Sequence, residues 1–349
     1  MPTRGRFTLT ALALLAGCND SPRAAAPVSR DAAAAVATVD AVLAIPALPG
    51  TIWFVEPHAL VRIADGKRTQ IAGDLFPSRW SLPDGRLVAL ASKGDGTPDS
   101  EQLALVAADG TITRVGPAAA SVREPAVDPK GGWIIVAINQ DGHSDLYRLE
   151  LASNKLARLT DNKQGNFTPA LAGGSVVFAS SRDGDSEIYR LPLTAKATAQ
   201  RLTAFHKDDL DPAPSPDGKT IAFLSDREGP MRLFLMAPDG TKQRRLTDRT
   251  DDASELEPTW SRDGSQLAYI VERKDERLLV VRDVAANTDR TLTPAKVRDA
   301  EPSFSPDGKW IVVAREANKE SDLVALPVAG GDPIRITASP TVERLPRWH

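Results

Sequence analysis

The stretch DPAPSPDGKTIAFLSDREGPMRLFLMAPDGTKQRRLT, residues 211–247, sets short apolar runs between three tight turns. In SPDG, Pro216 presets φ for a turn and Gly218 tolerates positive φ, which suits a hairpin. TIAFLS (220–225) follows as an alternating apolar run, and DREG (226–229) is a second turn. MRLFLMA (231–237) is a third strand, PDG (238–240) a third turn and KQRRLT (242–247) a fourth strand. With the proline-led PAPS segment as the first, the stretch predicts four antiparallel strands in a row.

The same unit recurs along the chain. Proline-led segments stand at EPAVDPKGG (124–132), TPALAGGS (168–175), EPTWSRDG (257–264) and EPSFSPDG (301–308), with a looser copy in PSRWSLPDG (77–85). Their turn glycines, Gly85, Gly131, Gly174, Gly218, Gly264 and Gly308, are spaced by 46, 43, 44, 46 and 44 residues. Closing tripeptides RLT, RLT, RLT, TLT and RIT begin at 158, 201, 245, 291 and 335. Four strands per unit at this period predict an all-β fold, a β-propeller of four-stranded antiparallel blades.

The ends supply the blade count. Residues 51–73 read as the second, third and fourth strands of a blade without its first, and ERLPRWH at the C-terminus reads as a first strand without successors. Joining them gives a seventh blade, closed by the C-terminal strand, and leaves no edge strand open to recruit another chain. Six blades follow instead if the looser unit at 77–116 is not one.

The 349 residues contain 24 Gly and 27 Pro, an excess that the blade turns absorb. Apolar residues at 42% and charged residues at 26% are globular values. A formal charge of -3 argues against a nucleic-acid partner. The one cysteine excludes an intrachain disulfide and a cysteine-cluster metal site.

That cysteine lies in an export signal. Arg4 and Arg6 precede the apolar stretch FTLTALALLA (7–16) and then Gly17-Cys18. Ten helical residues rise about 15 Å, half a bilayer core, so the stretch is a cleavable signal rather than a span. The expected organisation is a signal peptide at 1–17, an Ala/Pro-rich tether at 18–50 and the propeller at 51–349. The run 31–45 could also form a short helix, with Asp31 as N-cap. LAGC at 15–18 resembles the bacterial lipobox, and this resemblance implies that Cys18 is lipidated and anchors an exported lipoprotein to a membrane, in the periplasm or at the cell surface.

EPTWSRDG, EPSFSPDG, IAFLSDREG, DGDSEIYRL and DGTKQRRLT resemble the propeller repeat of the TolB family over about 51–349. The resemblance implies an envelope protein that binds another protein, one associated with peptidoglycan. Departures from the family pattern are the anchor at Cys18, seven blades in place of six, and no stretch in 19–50 long enough for the α/β domain that precedes the TolB propeller.

Chemical signatures are sparse. No G-x-S-x-G is present, so a nucleophile elbow is absent. His58, His143, His206 and His349 share no repeat position. The Asp-Gly pairs at 217, 239, 263 and 307 are explained by hairpin geometry. Tyr147, Tyr189 and Phe234 hold one third-strand position and are expected to pack between blades.

Two acidic connections stand out, AFHKDDLD (204–211) and DRTDDASELE (248–257). They are expected to cluster Asp208, Asp209, Asp211, Asp248, Asp251, Asp252, Glu255 and Glu257 on one face, as a site for a basic protein segment or as a solvated surface paired with Arg123, Arg298 or Arg344. Asp208, Asp209, Asp251 and Asp252 are the weaker candidates for a calcium ion, which takes six to eight oxygens. The expectation is a monomeric, membrane-tethered scaffold, not an enzyme, that binds an envelope protein and needs no cofactor. The alternative is a propeller that binds or acts on carbohydrate or another small ligand.

Overall fold

A computed structural model describes residues 48–349 apart from 58, 73, 93–100, 120, 141 and 318. The expected signal peptide, Cys18 and nearly all of the tether, including 31–45, lie outside the described residues. The described residues are built from strands, with no helix among them.

The first group is β1 (Thr51–Glu56), β2 (Ala59–Ala64) and β3 (Lys67–Ala72). The second is β4 (Leu75–Ser81), β5 (Leu87–Ser92), β6 (Glu101–Val106) and β7 (Ile112–Ala119). The third is β8 (Ser121–Val127), β9 (Trp133–Gln140), β10 (His143–Glu150) and β11 (Lys155–Arg158). The fourth is β12 (Asn166–Ala172), β13 (Ser175–Asp183), β14 (Asp185–Pro192) and β15 (Gln200–Arg201). The stretch quoted at the outset makes the fifth: β16 (Asp209–Pro214), β17 (Ile221–Ser225), β18 (Arg232–Met236) and β19 (Arg244–Arg245). The sixth is β20 (Ser254–Trp260), β21 (Gln266–Arg273), β22 (Glu276–Asp283) and β23 (Thr288–Thr291). The seventh is β24 (Arg298–Phe304), β25 (Trp310–Ala317), β26 (Glu320–Pro327) and β27 (Ile334–Arg335). A last strand, β28 (Arg344–Trp348), pairs antiparallel with β1. Every group is an antiparallel meander, and the sixth and seventh are bridged by one parallel pair, Arg277 and Arg298.

Each group is apolar on both faces, and the packing follows from the two-residue period of a strand. In β17, Ile221 and Phe223 join a core with Val177 and Ile188 of the fourth group, while Ala222 and Leu224 join one with Leu267 and Tyr269 of the sixth. Tyr147, Tyr189 and Phe234 are buried in such cores, as expected. The seventh group packs on the first, where Val312 and Leu323 meet Ile52, Phe54 and Trp348.

The fourth strands are shorter than the sequence suggests. In β15 and β19 two residues pair; beyond them Thr203 Oγ1 accepts the Ile188 N–H of the third strand at 2.8 Å, while Thr247 gives its hydroxyl to Glu255. The Asp-Gly turns form as expected: Asp263 accepts the backbone N–H of Ser265 at 3.0 Å, and Gly264 sits at φ 72. Backbone hydrogen bonds between Thr51 and His349 run in both directions, at 2.7 and 2.8 Å.

Candidate functional site at the ends of the first strands

The first strands touch in sequence, β4 to β8, β12, β16, β20, β24, β28 and back to β4. Most break register at their proline: between Arg123 and Ala126, Phe167 and Ala170, Leu210 and Ala213, Leu256 and Thr259, and Ala300 and Ser303. Proline has no N–H to give the ladder, so the strand bulges and the residue before it turns left-handed. Glu124, Thr168, Asp211, Glu257, Glu301 and Leu345 have φ between 47 and 58. A left-handed non-glycine residue is strained by about 1–3 kcal/mol. Here the strain recurs once per repeat.

The bulge aims these side chains at one another. Glu124 accepts the backbone N–H of Thr168, Glu257 that of Glu301 at 2.6 Å, and Glu301 that of Leu345 at 2.5 Å. Asp211 occupies the same position with a shorter side chain and takes no such bond. Each of these acidic residues is half-buried. Burial, reinforced by the charge of Asp211, pushes Glu124 up to about 7. Burial likewise raises Asp211, against the pull of Arg79, and raises Glu301, against the pull of Arg347. Burial and the nearby Arg79 charge hold Arg347 down at about 10. His349 is pushed down to about 4, first by burial and then by Arg347, and is neutral.

Two residues earlier on the first strands a second column of polar groups points into the joints between groups. Glu255 accepts the hydroxyl of Thr247 and the backbone N–H of Leu233. Asp299 takes the hydroxyl of Thr293 at 2.6 Å and a two-pronged Arg315 guanidinium, and Glu343 takes the hydroxyl of Thr337. Asp209 is held by Arg227, at 2.9 and 3.0 Å. The closing threonines Thr247, Thr293 and Thr337 therefore join one group to the next, whereas Thr203 bonds Glu187 of its own group.

This placement separates the acids that the sequence grouped. Asp209 and Glu255 are fully buried and committed to their partners, because their strands begin at Asp209 and Ser254, inside the stretches that a loop reading assigns to 204–211 and 248–257. Asp211 and Glu257 belong to the inward-pointing column, with Glu257 also paired to Arg277. Asp208 accepts the backbone N–H of Ser186 at 2.8 Å. Asp251 is bracketed by Arg249 and Arg273, while Asp248 and Asp252 are exposed. Arg123 and Arg298, expected as partners, instead pair with Glu101 and Glu316. The four calcium candidates do not converge, and among the described residues no group of three His, Cys, Asp or Glu side chains is disposed around a metal position. Sequence reading missed Glu124 and Glu301, which accept backbone N–H groups of the next first strand, and Arg79 and Arg347, whose charges act on them. The available signal was an acid directly before proline, repeated at 124, 211, 257 and 301.

Comparison with known proteins places this geometry. The family model of the TolB beta propeller domain matches residues 166–349. A curated relative, "Uncharacterized peptidase YuxL" of Bacillus subtilis (strain 168), is 31% identical over 153 residues, covering 33% of this chain and 23% of the relative. A "Protein TolB homolog" of Chlorobium luteolum is 25% identical over 162 residues, covering 46% of this chain and 36% of the relative. The chain thus spans well under half the length of either.

Among solved structures, TolB from Acinetobacter baumannii superposes with a TM-score of 0.57 at 21% identity, over 86% of this chain and 66% of that one. Puromycin hydrolase gives 0.66 at 16% identity, over 86% and 55%. An oligogalacturonate lyase in complex with manganese gives 0.62 at 16% identity, over 83% and 85%. At these identities the likeness is one of fold.

The comparisons correct one expectation. The chain was expected not to be an enzyme, largely because it lacks G-x-S-x-G. A peptidase relative and hydrolase and lyase structures of the same architecture overturn that exclusion. The missing motif removes one kind of nucleophile and says nothing about other groups carried on the same scaffold.

Proposed function

The chain belongs to the TolB beta propeller domain family, and from that premise we propose that it is an exported, Cys18-anchored envelope protein whose propeller receives a partner protein at the open end of its ring. In this reading the seven strand groups are seven blades, closed where β28 completes the sheet of β1–β3. Support for closure comes from the cyclic contact of the first strands and from the packing of the seventh group on the first.

The observation that carries the binding reading is the ring of left-handed residues. Glu124, Asp211, Glu257 and Glu301 bring negative charge to one place, and Arg79 and Arg347 bring positive charge beside it. Loops and strand ends held by a rigid scaffold are where recognition residues concentrate. Asp208, Asp251 and Asp252 would add a weaker, salt-sensitive attraction for a basic segment.

Cross-linking in intact envelopes followed by capture on the tagged full chain tests the proposal. The expected result is a discrete protein partner, with reduced capture by an Asp208→Asn, Asp251→Asn, Asp252→Asn triple variant. Capture of no protein, together with turnover of an envelope glycan or peptide, would replace the binding reading with a catalytic one, the reading favoured by the peptidase, hydrolase and lyase likenesses. Retention of the wild type in membranes and release of Cys18→Ser would support the anchor.

A further inference from the structure

Successive groups are joined by an apolar core and by polar bonds that cross the joint, and one joint differs from its neighbours. From the third group to the fourth, Glu124 takes the Thr168 N–H, and the Asn166 amide donates to Asp145 at 2.9 Å and to the Ser144 carbonyl at 3.2 Å. From the fifth to the sixth, Glu255 takes the Thr247 hydroxyl and the Leu233 N–H, and its own N–H donates to the Met231 carbonyl at 2.9 Å. From the sixth to the seventh, Glu257 takes the Glu301 N–H, Asp299 the Thr293 hydroxyl and the Val297 carbonyl the Arg277 N–H. From the seventh to β28, Glu301 takes the Leu345 N–H, Glu343 the Thr337 hydroxyl and the Ser321 carbonyl the Glu343 N–H.

Between the fourth and fifth groups the equivalent side chains turn back into their own groups. Thr168 carries a hydroxyl where Glu124, Glu257 and Glu301 carry carboxylates, and that hydroxyl is enclosed and has no partner. The pair equivalent to Asn166 and Asp145 is Asp209 and Glu187, two fully buried carboxylates. When ionised, neither has a proton to give the other. Asp209 is held by Arg227 of the fifth group at 2.9 and 3.0 Å, and Glu187 by Thr203 and Arg201 of the fourth at 2.5 Å. The bonds that do cross come from the connection and the outer strand: the Ser186 N–H to Asp208 at 2.8 Å, and Gln243 Nε2 to the Leu202 carbonyl at 3.1 Å. Phe205 spans the same joint. Its N–H donates to Glu187 at 2.7 Å, and its ring, in a residue 49% exposed, covers the Arg227 guanidinium at 3.9 Å.

We propose that the joint between the fourth and fifth groups is the seam at which the ring of groups opens, with Phe205 as its clasp. Opening any of the other four joints leaves buried acceptors and N–H groups unpaired, which is the costly way to break a hydrogen bond. Here the buried charges keep their partners on their own side. The clasp is a cation–aromatic contact at the surface, the weaker setting for such a contact. Segments with the fewest enclosed bonds open first. The seam goes beyond the partner reading, since it requires only the packing of neighbouring groups, and it offers a lateral way in to the first strands.

Buried alanines on second strands mark five joints in turn: Ala137, Ala179, Ala222, Ala268 and Ala314. Each is changed singly to Cys in the full chain carrying Cys18→Ser, and the folded protein is treated with a thiol reagent. Ala179→Cys is expected to react at least about tenfold faster than the other four, since its joint opens without global unfolding. Its rate should also depend less on urea, because opening one joint exposes less surface than unfolding. Phe205→Ala should speed labelling of Ala179→Cys several-fold and leave Ala268→Cys unchanged. Thr168→Gln, which offers an accepting oxygen toward the Asp211 N–H, should slow it.

Equal rates at the five joints, or fastest labelling of Ala314→Cys beside the last strand, overturns the seam. Fast labelling of Ala179→Cys that Phe205→Ala leaves unchanged rejects Phe205 as the clasp. If Ala179→Cys fails to fold, hydrogen exchange on the wild type decides. The Ile188 N–H, donated to Thr203, should then exchange faster than the Leu279 N–H, donated to Thr293, and equal exchange rejects the seam.

Discussion

Glu257 accepts, through Oε2, the backbone N–H of Glu301 at 2.6 Å, 44 residues further along the chain. Donor and acceptor occupy equivalent positions in successive repeats, and Glu301 passes the same bond on to Leu345. The period read from the turns is therefore also the period of a stitch between neighbouring blades. It explains why left-handed residues persist here: the strained conformation is what turns each N–H toward the preceding carboxylate.

Removing one stitch should cost measurable stability. Glu301→Ala leaves the enclosed N–H of Leu345 unpaired, a penalty of about 1–3 kcal/mol. Glu301→Gln retains an accepting oxygen and should lose much less. Urea midpoints at unchanged slope check this. Equal losses in the two variants would mean that charge, not the hydrogen bond, is what Glu301 contributes.

The RLT threonines predict a second effect. Thr337 Oγ1 accepts the Leu323 N–H at 2.8 Å and donates to the buried Glu343. Thr337→Val keeps the volume but strips a partner from each, and should destabilise by about 1–3 kcal/mol. Thr288→Val, at an exposed position of an outer strand, should stay within about 0.5 kcal/mol. Chemical denaturation of the pair compares them directly.

Acid should stabilise rather than weaken the fold across the mildly acidic range. Burial raises Glu124 from 4.5 to about 7, and Asp211 adds to it. Glu343 also reaches about 7 through burial, reinforced by the charges of Glu56 and Asp322. A carboxyl raised on folding binds its proton more tightly in the native state. Its contribution is complete below pH 4.5 and is lost as pH rises through about 7. The melting temperature should therefore fall between pH 5 and pH 8, and a Glu124→Gln, Glu343→Gln double variant should flatten that decline. A slope unchanged by the double variant would assign the pH dependence to other groups.

What was legible in the sequence follows from what is periodic. Turn glycines, apolar alternation and the RLT endings all repeat, so the four-strand unit and the affinity of residues 344–348 for residues 51–56 could be read directly. The acidic connections could not be resolved, because a strand that starts inside an acidic run looks like a loop. Asp208 and Asp209 are adjacent, yet one accepts a backbone bond at a turn and the other is sealed against Arg227. Arg79 and Arg347 were invisible for a different reason: they break the repeat, and their proximity depends on bringing the second group beside the last strand. The acid-before-proline pattern was visible, but its meaning required the bulge.

Closure itself gives the sharpest stability prediction. Trp348 is buried beside Ile52, Phe54, Val312 and Ile336, and its indole N–H donates to the Pro49 carbonyl at 2.5 Å. Trp348→Ala should cost about 3–5 kcal/mol through lost burial and an unfilled cavity. Deleting 345–349 should cost more, because it also exposes the pairing edge of β1 and invites association between copies. Ile112→Ala, at an exposed outer-strand position, should fall within about 0.5 kcal/mol. Limited proteolysis should cut the truncated chain first around β1–β3 while the wild type stays protected there. If Trp348→Ala and the deletion cost no more than Ile112→Ala, the last strand does not close the ring, and the seven-blade reading falls with it.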